Sequence, residues 1–201
     1  MEKIVRGIVL CTKNIIISIL FISLIIKIYP QSTIFGELKK LTLPVAEFKE
    51  RSNLKVFGQY VSPAVSPVNP ERFTGYHTGV DVEYDDISAE VPVYAVFDGD
   101  VIYSGYVSGY GGVCVLHISS GGMNYHVLYG HLRPASLPDV GDKILQGDKI
   151  GVLGKSYSVE TDGERKHLHF SILYAGRINL KGYVQTKKEL SRWIDPFLFY
   201  K

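Results

Sequence analysis

The chain has 201 residues, with 22 Lys and Arg against 20 Asp and Glu, for a formal net charge of +2. That balance is too small to argue for a nucleic-acid partner, and the length suits one domain with its own core plus an appendage. Twenty Gly and 14 Tyr in an otherwise ordinary composition favour β structure with tight turns.

Residues 1–30 differ from the rest. Lys3, Arg6, Lys13 and Lys27 against Glu2 put +3 in this stretch, which leaves the remainder near −1. Ile15 to Ile26 reads IIISILFISLII, which is short for a membrane span of about 20 apolar residues. Ile8 to Tyr29 is long enough if Lys13 and Lys27 snorkel to the two interfaces. The alternative is a cleaved signal peptide, but Tyr29-Pro30-Gln31-Ser32-Thr33 is a poor cleavage site. We therefore expect an uncleaved, single-pass transmembrane helix in the cell membrane, N-terminus inside because the basic residues cluster there. Anchored or secreted after cleavage, the remainder is extracytoplasmic. A lipoprotein signal at Leu10-Cys11 fails because the apolar core follows the cysteine. Cys11 and Cys114 are the only cysteines and sit in unrelated segments, so no disulfide is expected, and Cys114 in VCVLHI reads as a small core residue.

Residues 31–53 read as a stalk that lifts the domain after it off a membrane or else packs on that domain, with short helical turns at 37–41 and 45–51 broken by Pro44. A domain is expected over 54–201, and its pattern is β. Pro63, Pro67 and Pro70 punctuate an extended loop. Strands are expected at 91–97 and 101–106, joined as a hairpin around Asp98-Gly99-Asp100. Further strands follow at 113–118 and 124–129 around Ser120-Gly121-Gly122. Turns recur at Gly141, Gly147 and Gly154, and Trp193, Pro196 and the aromatic tail 197–200 close the core.

Chemistry concentrates in three segments. In Lys166-His167-Leu168-His169-Phe170 the context HLHFSILYA is that of a strand, so the two imidazoles share one face with Cα atoms roughly 7 Å apart. In Tyr76-His77-Thr78-Gly79-Val80-Asp81 a His and an Asp stand four apart. On a straight strand they would be about 13 Å apart, too far for one ion, so the backbone must curl at Thr78-Gly79, where Gly tolerates positive φ. In Val127-Leu128-Tyr129-Gly130-His131-Leu132 a strand ends on Gly-His. Taken singly, each segment is as compatible with a capped turn or a surface histidine as with a metal site.

Together HTGVD, YGHL and HLHF, in that order, resemble the lysostaphin/LytM-type zinc metalloendopeptidases, peptidoglycan endopeptidases of the duplicated hybrid motif fold. VPVYAVFDGDVIYSG, YGGVCVLHI and VGDKILQGDKIGVLG extend the likeness over about 57–196. The resemblance implies a mainly β, antiparallel sheet or half-barrel fold, one Zn2+ bound by His77, Asp81 and His169, and catalytic roles for His131 and His167. The choice of His169 over His167 as ligand is the family's. It also implies hydrolysis of peptide cross-links in bacterial peptidoglycan. Two neutral imidazoles and one carboxylate suit a catalytic zinc, which keeps an open position for water.

The approach to His167, Gly154 to Lys166, departs from the family's short turn ending in Gly-Pro; it is longer and more charged, and should border the substrate groove. Two other readings compete. A catalytically silent relative would bind cell wall or regulate another hydrolase, and is expected to have lost some of these five residues. A carrier or phosphotransfer domain would fit VYAVFDGDVI, but an exported domain has no cytoplasmic phosphodonor. His117 and His126 read as structural, whereas Tyr76, Tyr110 and Tyr129 read as groove or core aromatics.

Overall fold

The structure, a computed structural model, describes residues 41–200. The expected membrane segment and the first part of the stalk lie outside the described residues. Among those described, no helix is long and apolar enough to cross a membrane.

The chain from Leu41 onward forms a compact unit of short antiparallel strands. In order these are β1 (Tyr60–Val61), β2 (Gly75–His77), β3 (Val80–Glu83), β4 (Pro92–Tyr94), β5 (Gly99–Val107) and β6 (Gly111–Ser120). They continue as β7 (Met123–Leu132), β8 (Lys143–Ile144), β9 (Lys149–Val152), β10 (His167–Tyr174), β11 (Tyr183–Val184) and β12 (Trp193–Ile194). One helical turn, α1 (Lys187–Leu190), is capped by the Thr186 hydroxyl, which accepts from the Glu189 amide.

The main sheet runs β12-β10-β7-β6-β5-β8, with β3 also paired to β10. The β6–β7 hairpin turns at Gly121 and Gly122, whose φ of 58° and 75° meet the two positive values of a type I′ turn. The hairpin expected around Asp98-Gly99-Asp100 does not form. Gly99 lies inside β5, and β4 pairs with β9 in a separate two-stranded sheet. A turn signal in the sequence cannot distinguish a hairpin from a corner where the chain leaves one sheet for another.

Valine, leucine and aromatic side chains from one face of the main sheet meet those of 91–96 and the C-terminal tail in the larger core. Cys114 is buried there, and Tyr200, Phe197 and Phe199 pack against it. Residues 41–53, expected as the end of the stalk, take the second of the two places open to them and pack on the domain through this core. Val45 and Phe48 are buried, and Phe48 packs on Phe170, Phe197 and Tyr200 with ring centroids 5.0–5.7 Å apart. The chain then runs alongside β3 and β2: the amides of Glu83, Asp81 and His77 donate to the carbonyls of Arg51, Lys55 and Gln59.

Candidate metal centre

The register of β10 assembles the site. His169 lies opposite Asp81 of β3 on one side and Gly130 of β7 on the other, while His167 lies opposite Glu83. Because side chains two apart share a face, His167 and His169 point the same way, with Asp81 and Glu83 matched to them across the ladder.

His77 reaches this group because the chain breaks between β2 and β3 at Thr78-Gly79, the curl expected from the sequence. The reason for glycine differs. Gly79 is not among the residues with positive φ; instead a Cβ there would stand 2.4 Å from the Phe170 carbonyl oxygen. Close packing of the turn on β10 requires the missing side chain, not left-handed backbone.

His131 arrives by a bulge. Gly112 pairs with Leu132 and Val113 with Gly130, which leaves His131 as the extra residue of β7. Its φ of +62° is rarely adopted by a residue other than glycine. Such bulges re-aim a side chain, here toward His167, whose ring centroid is 4.0 Å away. Gly130 must be glycine, since a Cβ would meet Tyr110 Cδ1 at 2.5 Å.

His77 Nε2, His169 Nδ1 and Asp81 Oδ1 form a nearly equilateral triangle with edges of 3.0, 3.1 and 3.1 Å. Tetrahedral bonds of about 2.0 Å give ligand separations of about 3.3 Å, so the set fits a zinc-sized ion with little adjustment. The alternative, hydrogen bonding alone, does not satisfy the three. His77 Nδ1 lies 3.3 Å from the Val56 carbonyl and donates to it, so a bare Nε2 faces a carboxylate oxygen. His169 Nε2 is buried without a partner. His77, Asp81 and His169 are thus a group that could hold a metal ion.

Burial keeps the imidazoles of His131, His167 and His169 neutral. Burial pushes the His131 imidazolium down to about 3, holds His167 well below its ordinary value and lowers His169. Burial opposes the charge of Asp81, but the surrounding polar groups, among them the His169 Nδ1–H that donates to Oδ1 at 3.1 Å, outweigh it, and the carboxyl stays well below the usual range. His167 Nδ1 donates to the Arg165 carbonyl at 2.9 Å, which leaves Nε2 as an acceptor. His131 Nδ1 has no partner.

The centre lies at the floor of an open groove of about 430 Å³. Phe73 stacks on Tyr183 at 5.3 Å in its wall, and Lys55, Tyr110, Glu164 and Lys181 also line it. The 155–166 loop borders the groove as expected. Arg72 ties it down by donating to Glu164 Oε1 and the Asp162 carbonyl, at 2.8 and 2.9 Å.

All five residues singled out from the sequence meet here. His117 and His126 do not: they face each other across β6 and β7 at 5.5 Å. Tyr110 lies in the wall, its hydroxyl buried without a partner. Tyr129 is a core residue whose hydroxyl accepts from the Val96 amide, and Tyr76 meets Tyr60 edge to face, ring centroids 5.2 Å apart. Sequence reasoning missed Arg165, which donates to Asp81 Oδ2 at 2.9 Å, and the buried pair of Lys55 with Glu71 at 2.5 Å. Only the position of Arg165, two residues before His167, could have signalled it.

Fold and site together define an antiparallel β domain carrying a His/Asp/His group of metal-binding geometry beneath an open groove. The chain belongs to peptidase family M23, which matches residues 75–180. It is 35% identical over 107 residues to endolysin 2638A of Staphylococcus phage 2638A, a match covering 52% of this chain and 21% of that protein. The chain thus spans about a fifth of that relative's length. Among solved structures, the SpoIIQ-SpoIIIAH pore-forming complex contains a chain of like fold, with a TM-score of 0.51 at 18% identity, covering 81% of this chain and 92% of that one. LytU gives a TM-score of 0.48 at 23% identity, covering 82% and 86% of the two chains. Csd3 of Helicobacter pylori gives 0.46 at 24%, covering 73% and 35%.

Proposed function

We propose that this chain is a zinc metalloendopeptidase that hydrolyses peptide cross-links of bacterial peptidoglycan. The observation that carries the reading is the convergence of His77, Asp81 and His169 on one point, with the neutral pair His131 and His167 beside it, ring centroids 4.0 Å apart, in an open groove of about 430 Å³. Family membership and the phage endolysin support the substrate class.

His77, Asp81 and His169 would hold the zinc, which when bound supplies a water of lowered pKa and a Lewis acid for the scissile carbonyl. His131 and His167 divide the proton transfers. Their burial keeps both unprotonated at neutral pH, so each offers a bare nitrogen to the attacking water's proton. Once protonated, the same nitrogen hydrogen-bonds the tetrahedral oxyanion or delivers its proton to the leaving amine. The carbonyl of Arg165 holds the His167 tautomer that leaves Nε2 free. Residues 1–30, with the apolar run 15–26 at their centre, would carry the domain as a single-pass membrane anchor, a reading that rests on the sequence alone.

The test measures zinc content and peptide release from purified peptidoglycan, with the full chain in detergent. Wild type should carry one zinc and cut. His169→Ala should lose metal and activity, and His131→Ala only activity. Zinc binding without release from several wall types would favour a silent relative that binds cell wall or regulates another hydrolase. Absence of metal from wild type would refute the ligand assignment.

A further inference from the structure

One buried cation beside the centre has no role in the reading above. Arg165 is 6% exposed. Its Nε and Nη2 form a two-pronged pair with Glu83 at 2.7 and 2.6 Å, and Nη2 also reaches Asp81 Oδ2 at 2.9 Å. Asp81 Oδ1 is the oxygen that meets His77 and His169, so the two oxygens of one carboxylate have separate partners. The other polar neighbour of Oδ2, His167 Nε2 at 3.4 Å, presents a lone pair. Arg165 is therefore the hydrogen-bond donor to that oxygen.

We infer that Arg165, held in place by Glu83, is a positioning residue. It confines Asp81 to ligation through Oδ1 and aims that oxygen at the point shared with His77 and His169. This rests on the reading of those three residues as zinc ligands. The fork is built into the β3–β10 ladder: Glu83 is two residues beyond Asp81 on the same face, opposite His167, and Arg165 enters that face two residues before His167. A guanidinium fixes direction as well as charge, because its planar donors match a carboxylate's lone pairs. Glu83 neutralises it, so the Asp81, Glu83 and Arg165 group retains the single negative charge that Asp81 alone would offer a cation. The residue lies in the atypical approach to His167, which gives that loop a function at the centre as well as at the groove's rim.

The test is the zinc dissociation constant of the full chain in detergent, read by chelator competition, with denaturant unfolding to verify folding. Arg165→Met keeps length and removes the fork and charge; zinc binding should weaken about 10- to 100-fold. Arg165→Lys, which keeps the charge without the fork, should fall between. If Arg165 merely competed with the metal as a like charge, Arg165→Met would bind zinc more tightly. Unchanged or tighter binding overturns the proposal. Glu83→Gln loosens the fork without removing the donor to Asp81, and should weaken zinc several-fold; it decides the matter if Arg165→Met does not fold, with unchanged affinity again overturning it. A wild type that binds no zinc overturns the ligand assignment and this proposal with it, whereas a wild type that binds while every variant matches it overturns this proposal alone.

Discussion

Replacing Phe48 by Ala asks whether the stretch before the first strand belongs to the domain. Phe48 is 0% exposed and surrounded by the rings of Phe170, Phe197 and Tyr200. A fully buried phenylalanine removes roughly 150–250 Å² from water. At about 25 cal/mol per Å² this is worth about 4–6 kcal/mol, of which Ala retains the Cβ share. The expected loss is therefore about 3–5 kcal/mol, the usual range for Phe→Ala in a core. In a domain of this size it should lower the midpoint of thermal unfolding by roughly 10 °C. Urea unfolding followed by the fluorescence of Trp193 measures it directly. The consequence reaches the centre, because the segment Phe48 pins down supplies the Val56 carbonyl to His77 and pairs with the amide of Asp81. A loss below about 1 kcal/mol would refute the argument and return residues 41–53 to the status of a detachable spacer.

Two further outcomes are expected. Lys55→Met should cost about 3 kcal/mol by leaving Glu71 buried without its cation, and adding Glu71→Gln should recover most of it in urea unfolding; a double variant no more stable than the single one would refute the pairing argument. The zinc-free protein should lose stability as pH falls, because the unfolded chain protonates His131 near 6.5 whereas the folded chain resists until about 3. From this residue alone the loss near pH 4.5 is on the order of a few kcal/mol relative to pH 8, and the lowered His167 acts in the same direction. Unfolding in EDTA across that range should show a shallower slope for His131→Phe; equal slopes would contradict the buried, neutral imidazole.

The five candidate residues and the β6–β7 hairpin were legible because their signals are local: a His-x-His alternation, a Gly-His strand end, two glycines in a turn. A chain order shared with a known family joined the three motifs into one site. What local signals could not supply was partnership between distant segments. His131 looks like the end of a strand, but the bulge that aims it exists only through its pairing with Gly112 and Val113. Gly79 looks like a place for positive φ, but the constraint on it is the Phe170 carbonyl across the turn. Val45 and Phe48 look like parts of a stalk until Phe170 and Tyr200 cover them. Arg165 looks like one charge among several in a polar loop; the β3–β10 register brings it onto Asp81 and Glu83. Composition and spacing by themselves supplied His and Asp side chains able to bind a metal and move protons, since those are properties of residue types, and the resemblance to a known family singled out five of them. The tertiary structure decided which oxygen of Asp81 faces His77 and His169 and which faces Arg165, because that choice depends on a register between strands more than 80 residues apart.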